Sequence, residues 1–195
     1  RGFHGYWAER FDVIDPHFGD DADLQALLDD AHRLGLKVVL DVVLNHPGYG
    51  ASFAHDTSWT RSTETGTCDG DDVRTQCLFG LPDFRTESPA VADAIVTWTT
   101  SWAERFAFDG FRIDTLKHVE PELVHTLHQR AEAAFRRRQP PSHRRFLMLG
   151  EWWGTSPTSH EQRLIDDDVV DTLFEFSFQG LAAGFASGAL SARAT

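Results

Sequence analysis

GFRID, residues 110–114, is a short apolar run that closes on a carboxylate, and LGEWW, residues 149–153, repeats the arrangement with Glu151. Each reads as a buried β-strand ending in an acid. The C-terminal ends of parallel strands are where α/β barrels assemble their chemistry. Two acids aimed into one cleft can divide the work, one ionised as a nucleophile and one protonated as a general acid, when their surroundings push their pKa values apart. Arg112 stands two residues before Asp114 and so points to the same side of the strand, where its cation would hold that carboxylate charged.

Outward from these strands the pattern alternates between helix and strand. Asp20 or Asp21 caps a helix whose apolar positions Leu24, Leu27, Leu28, Ala31 and Leu34 follow three- and four-residue spacing, and Gly35 stops it. KVVLDVVL, residues 37–44, is rich in β-branched residues on both faces, as expected for a strand buried in a parallel sheet. A second helix opens with Ser88 as N-cap and Pro89 in its first turn, and runs to Phe106. A third starts at Pro121 and ends in the basic run Arg136 to Arg138, a solvated end that suits the helix dipole. Further strands are expected at Phe146 to Leu149 and Thr172 to Phe176. Such βα units imply either an open doubly wound sheet or a closed barrel. No glycine-rich phosphate loop follows any strand, and Asp41, Asp114 and Glu151 close three different ones; both facts favour the barrel.

From Gly48 to about Gly80 no period survives among many Gly, Ser, Thr and Asp residues, too long a stretch for an ordinary connection. The chain divides accordingly into barrel residues 1–46, an inserted region 47–82, and barrel residues 83–195. Cys68 and Cys77, the only two cysteines of 195 residues, lie in the insertion, where a short disulfide would fit an oxidising compartment. The expected location is secreted or periplasmic. A net charge of -12 argues against nucleic acid and anionic membranes and suits a neutral polyol or a bound cation. No stretch has the length of a transmembrane helix, and Arg1 is not followed by a secretory leader, so the sequence reads as the interior of a longer one.

At these residues the chain resembles the α-amylase family of retaining glycoside hydrolases. DVVLNH (41–46), LPDF (81–84), GFRIDTLKH (110–118) and GEWW (150–153) match four of its ordered motifs, and HGYW (4–7) and DPHFG (15–19) resemble the segment after its second barrel strand. The resemblance implies a partial (β/α)8 TIM barrel, about strands 3 to 6, with a small loop-rich domain inserted after the third strand. It implies cleavage of α-1,4-glucosidic bonds in starch or maltooligosaccharides, with Asp114 as nucleophile and Glu151 as general acid. Asp41 and His46 would hold sugar hydroxyls, Tyr6 and Trp7 would stack on a glucose ring, Arg112 would orient the nucleophile, and Lys117 and His118 would reach the leaving-group side.

The resemblance also implies a structural Ca²⁺ on Asn45, Asp83 and the His118 carbonyl, oxygen ligands as that hard cation requires. One departure stands out: Arg85 follows LPDF where the family carries an acid or amide. Asp69, Asp71 and Asp72 read as a solvated loop, and His125 and His128 as solvent-facing residues. A family barrel of roughly 250 residues cannot be completed from this chain. Strands one, two, seven and eight and the aspartate that grips the transition state fall outside it, so the piece alone is expected to be inactive and the intact enzyme monomeric. A glucanotransferase or isomerase would share the glycosyl-enzyme step. A non-catalytic carbohydrate-binding relative would be expected to have lost an acid.

Overall fold

In the computed structural model, residues 2–68, 70, 72–138, 144–154 and 159–189 are described. The elements are α1 (Asp21–Arg33), β1 (Val39–Val43), β2 (Thr60–Arg61), β3 (Asp83–Phe84), α2 (Pro89–Arg105), β4 (Gly110–Asp114), α3 (Pro121–Arg138), β5 (Leu147–Gly150), α4 (Ser159–Asp166), β6 (Thr172–Leu173) and α5 (Phe176–Ala186). Four parallel strands lie in the order β1-β4-β5-β6, a partial α/β barrel, while β2 and β3 form a separate antiparallel pair in and beside the insertion.

Local chemistry explains the boundaries. Asp20 accepts from the Ala22 and Asp23 N–H groups and Asp23 returns a bond to Asp20 N, a reciprocal cap that starts α1. Gly35 ends that region at φ 78, a conformation most side chains avoid. The last strand is shorter than its apolar pattern implies, ending at Leu173, because Glu175 turns to accept from the Ser177 and Phe178 N–H groups and opens α5. Helix α4 gives no signal that the sequence reading picked out.

The buried side of α2 (Val91, Ile95, Val96) and of α3 (Leu123, Val124, Leu127, Ala131) belong to one core with Phe111, Ile113, Phe146 and Met148 of the strands and their approaches. Gly150 is required for that closeness: a Cβ there would stand 2.3 Å from Leu116 Cδ2 and 2.8 Å from Leu173 Cδ2. The expectation of burial on both faces fails for β1. Val39 is 36% exposed and Asp41 is exposed, because among the described residues β1 pairs only with β4 and forms an edge of the sheet. His128 also departs from its solvent-facing reading: it is buried, with Nδ1 3.0 Å from the Asp168 carbonyl, and so joins α3 to the turn before β6.

The insertion sits on an aromatic cluster. Trp98 of α2 stacks on Trp59 (centroids 5.7 Å) and Phe11 (5.9 Å), and Phe53 and Phe84 complete the group. Cys68 and Cys77 are joined in a disulfide, as the sequence suggests. Of the acidic loop, Asp72 caps the next turn by accepting from Arg74 N; Asp69 and Asp71 lie outside the described residues.

At the opposite, N-terminal end of the strands, Asp109 gathers four donors from three segments. Its carboxylate accepts from Val38 N (2.9 Å) and Arg144, and lies 2.8 Å from His32 Nε2 and 3.4 Å from Lys37 Nζ. Burial opposes its charge, but the Val38 N–H, His32 and Lys37 together hold its pKa below the ordinary value. Removal would strand several donors at once. Asp109→Ala is expected to destabilise the fold by about 3 kcal/mol, read as a shift of the urea midpoint at unchanged slope. An unshifted midpoint would mean that these contacts are dispensable.

Candidate active site

Strand register builds the site. Asp41 is paired with Arg112 across β1 and β4, and Asp114 lies two residues further along β4 on the same face. Glu151 follows β5 directly, and its own N–H bonds to the Ile113 carbonyl at 2.9 Å, so its placement beside β4 is fixed by the ladder.

Arg112 ties the carboxylates together. Its Nη1 donates to Asp41 Oδ1 (2.8 Å) and Asp114 Oδ1 (2.6 Å), and its Nη2 lies 2.8 Å from Glu151 Oε2. The guanidinium is 15% exposed, with side chains of Asp114 and Glu151 at 10% and 19%. These contacts raise the Arg112 pKa further above its ordinary value, although burial alone would lower it. Three carboxylates against one guanidinium leave an excess of negative charge in the group.

The predicted aromatic residues separate. Tyr6 belongs to the cluster: its hydroxyl donates to Asp41 Oδ2 at 2.8 Å, and its ring lies 5.8 Å from Arg112 Cζ. Burial, then the bond to Asp41, pushes its pKa up to about 12, so it remains a donor. Trp7 packs instead edge-on against His4 (4.6 Å) and Tyr49 (5.0 Å). His46 is buried beside Asn45, with a hydrogen bond to the Tyr6 backbone; burial lowers its pKa to about 4, leaving it neutral at pH 7. Lys117 is half-buried and reaches toward Gly154, on the loop that follows Glu151.

His118 serves two sides. Its ring Nδ1 lies 2.6 Å from the Val73 carbonyl of the disulfide-bearing loop, an arrangement that puts the proton on Nδ1. Its own carbonyl faces Asn45. One end of the Asn45 amide lies 2.7 Å from that carbonyl oxygen and 3.1 Å from Asp83 Oδ1. With nitrogen at that end the amide donates to both; with oxygen there, three oxygens converge, which a cation would satisfy in place of a proton. Asp83 is 1% exposed, and burial pushes its pKa up to about 8 against the pull of Arg61, whose Nη1 donates to Oδ2 at 3.1 Å. Among the described residues no group of three or more His, Cys, Asp or Glu side chains could hold a metal, so such a site depends on the amide and the carbonyl.

Four participants escape a reading by motif. Thr115 N donates to Glu151 Oε2 at 3.1 Å, from a left-handed conformation (φ 50) unusual for a β-branched residue. The Phe174 ring lies 5.8 Å from Arg112 Cζ. Val73 offers only a backbone oxygen, and Arg61 meets Asp83 across the β2–β3 pair. Arg85, the residue that departs from the family pattern, turns away: its Nε donates to the Thr57 carbonyl at 2.7 Å.

The profile of the α-amylase catalytic domain matches residues 2–66 and 56–194. An α-amylase of Streptomyces lividans is 28% identical over 98% of the chain, and α-amylase mde5 of Schizosaccharomyces pombe 30% identical over 94%. The crystal structure of the Geobacillus thermoleovorans α-amylase in complex with acarbose superposes on 92% of the chain with a TM-score of 0.75 at 29% identity. The chain spans 27%, 35% and 39% of these three proteins, respectively. Asp41 sits within β1 and not at its end as the sequence suggests, while Asp114 ends β4 and Glu151 follows β5; with one guanidinium binding all three and this match over nearly the whole chain, the chain belongs to the α-amylase family of glycoside hydrolases.

Proposed function

We propose that the chain carries the nucleophile and general acid of a retaining hydrolase acting on α-1,4-linked glucans or maltooligosaccharides. The observation that carries this reading is Arg112, which contacts at once Asp41 from the middle of β1, Asp114 at the end of β4 and Glu151 just after β5. Asp114, held charged by the guanidinium, attacks the anomeric carbon as Glu151 gives its proton to the departing glycosidic oxygen. Glu151 then takes a proton from water, which resolves the glycosyl-enzyme. Retaining enzymes need their two carboxyl groups close, roughly 5–5.5 Å apart, and two acids sharing one guanidinium support that arrangement. Asp41, with Tyr6 fixing one of its oxygens, is placed to accept from a sugar hydroxyl. A fluorinated glucosyl substrate, which slows release of the intermediate, tests the reading. Peptide mapping should find the adduct on Asp114, and an adduct elsewhere, or none with an active enzyme, would refute it.

We further propose a structural Ca²⁺ held by Asn45, Asp83 and the His118 carbonyl, where the amide geometry and the oxygen-only donors support the fit. When bound, the ion would brace the junction between barrel and insertion. A chelator is then expected to lower the melting temperature, with up to about 2.7 kcal/mol at stake at one hundred times the dissociation constant. Asp83→Ala should abolish the response; a protein indifferent to chelator would exclude the site. Export is the proposed location, supported by the disulfide and by similarity to a periplasmic α-amylase of Escherichia coli (26% identity over 78% of the chain).

A further inference from the structure

We propose that Arg61 is an internal counter-charge that competes with calcium for Asp83, so that this chain trades metal affinity for a junction that holds together without metal. The inference rests on the calcium reading above and concerns a residue that no part of that ligand set includes. Arg61 is fixed opposite Asp83 by the β2–β3 pairing, and its guanidinium is only 10% exposed. Nη1 donates to Asp83 Oδ2 at 3.1 Å, and Nη2 binds Glu87. The other oxygen of Asp83 faces the Asn45 amide. One oxygen of this buried carboxylate therefore meets a permanent cation, and the other faces Asn45, a second member of the proposed ligand set.

The surroundings are otherwise acidic. Glu87 and Glu120 both act on Asp83 through their charges, and Thr86 Oγ1 donates to Glu120. Without Arg61, a nearly inaccessible carboxylate would face two more acids with no counter-charge in contact, which is strongly unfavourable in the metal-free protein and attractive to a cation. With Arg61 present, the protein already carries that positive charge. A dication must then bind a carboxylate whose charge is partly neutralised, and must bear repulsion from a guanidinium on the same group. Glu87 modulates the balance. It holds the second arm of Arg61 and draws part of the guanidinium's charge away from Asp83, so its loss should tighten the Arg61–Asp83 pair and weaken metal binding.

Calorimetric titration of chelator-treated protein with CaCl2, together with melting temperatures with and without calcium, tests this on the wild type, Arg61→Met and Glu87→Gln. Arg61→Met should bind calcium at least ten-fold more tightly, melt lower than wild type without calcium, and show a larger calcium-induced rise. Glu87→Gln should bind several-fold more weakly. If Arg61→Met folds only when calcium is added, that is the same result in a stronger form. If it fails to fold under both conditions, Glu87→Gln decides: weaker binding supports the inference, and unchanged or tighter binding overturns it. Calcium binding by wild type with no gain in Arg61→Met refutes the role of Arg61 and leaves the metal site standing. Binding by Arg61→Met alone upholds the inference and removes calcium from the wild-type protein. Binding by neither overturns both.

Discussion

In the intact enzyme of which this chain is a part, Asp114→Asn is expected to reduce glucan hydrolysis by at least ~10³-fold while leaving substrate affinity within a few-fold of wild type. The amide keeps the size of the side chain and most of its hydrogen bonds, so the sugar still finds its place, but the neutral amide cannot form the covalent bond to the anomeric carbon. The structure adds a second expectation of opposite sign. Asp114 is one of three carboxylates around one guanidinium, and replacing it removes a like charge from a group that already carries an excess. Folding stability should therefore be unchanged or slightly increased, as when a site optimised for chemistry is relaxed. Steady-state kinetics and thermal melting of the same preparation read both quantities. Activity near wild type would remove Asp114 from the mechanism, whereas a large fall in stability would mean that the lost activity reflects misfolding.

Most of this site was legible because its residues sit in contiguous motifs on strands. GFRID carries its own face: alternation sets Arg112 and Asp114 on one side, and the structure joins them at 2.6 Å. The capping signals of α1 and the proline opening α2 were equally local, and they hold. What escaped the sequence is set by pairing between distant segments. Arg85 attracted attention by adjacency to LPDF, but the cation on Asp83 is Arg61, twenty-two residues away and brought there by a two-residue antiparallel ladder. Thr115 could not be singled out because its contribution is a backbone N–H in a left-handed conformation. Trp7 shared a motif with Tyr6, yet consecutive residues diverge in direction, and only Tyr6 reaches the carboxylates.

Arg112→Met is expected to have the largest combined effect on the protein. The methionine fills much of the aliphatic volume but leaves Asp41, Asp114 and Glu151 without the cation that each contacts, and two of the three are largely removed from solvent. Removing one partner from a buried charge group typically costs about 3–5 kcal/mol. In the intact enzyme activity is expected to fall by ~10² or more, because on the proposed mechanism Asp114 loses the group that aims it. Arg112→Lys should restore some stability but little activity: a single ammonium cannot reproduce the planar fork that contacts Asp41 and Asp114 through one nitrogen and Glu151 through the other. A double variant separates charge compensation from packing. If the three acids destabilise the unpaired cluster by mutual repulsion, Asp114→Asn should stabilise the Arg112→Met variant by more than it stabilises the wild type, a coupling between the two positions of about 1 kcal/mol or more. Additive effects in urea unfolding, with Asp114→Asn changing stability equally in both backgrounds, would show that Arg112 stabilises the protein through its packing against the Tyr6 and Phe174 rings and not through the carboxylates it joins.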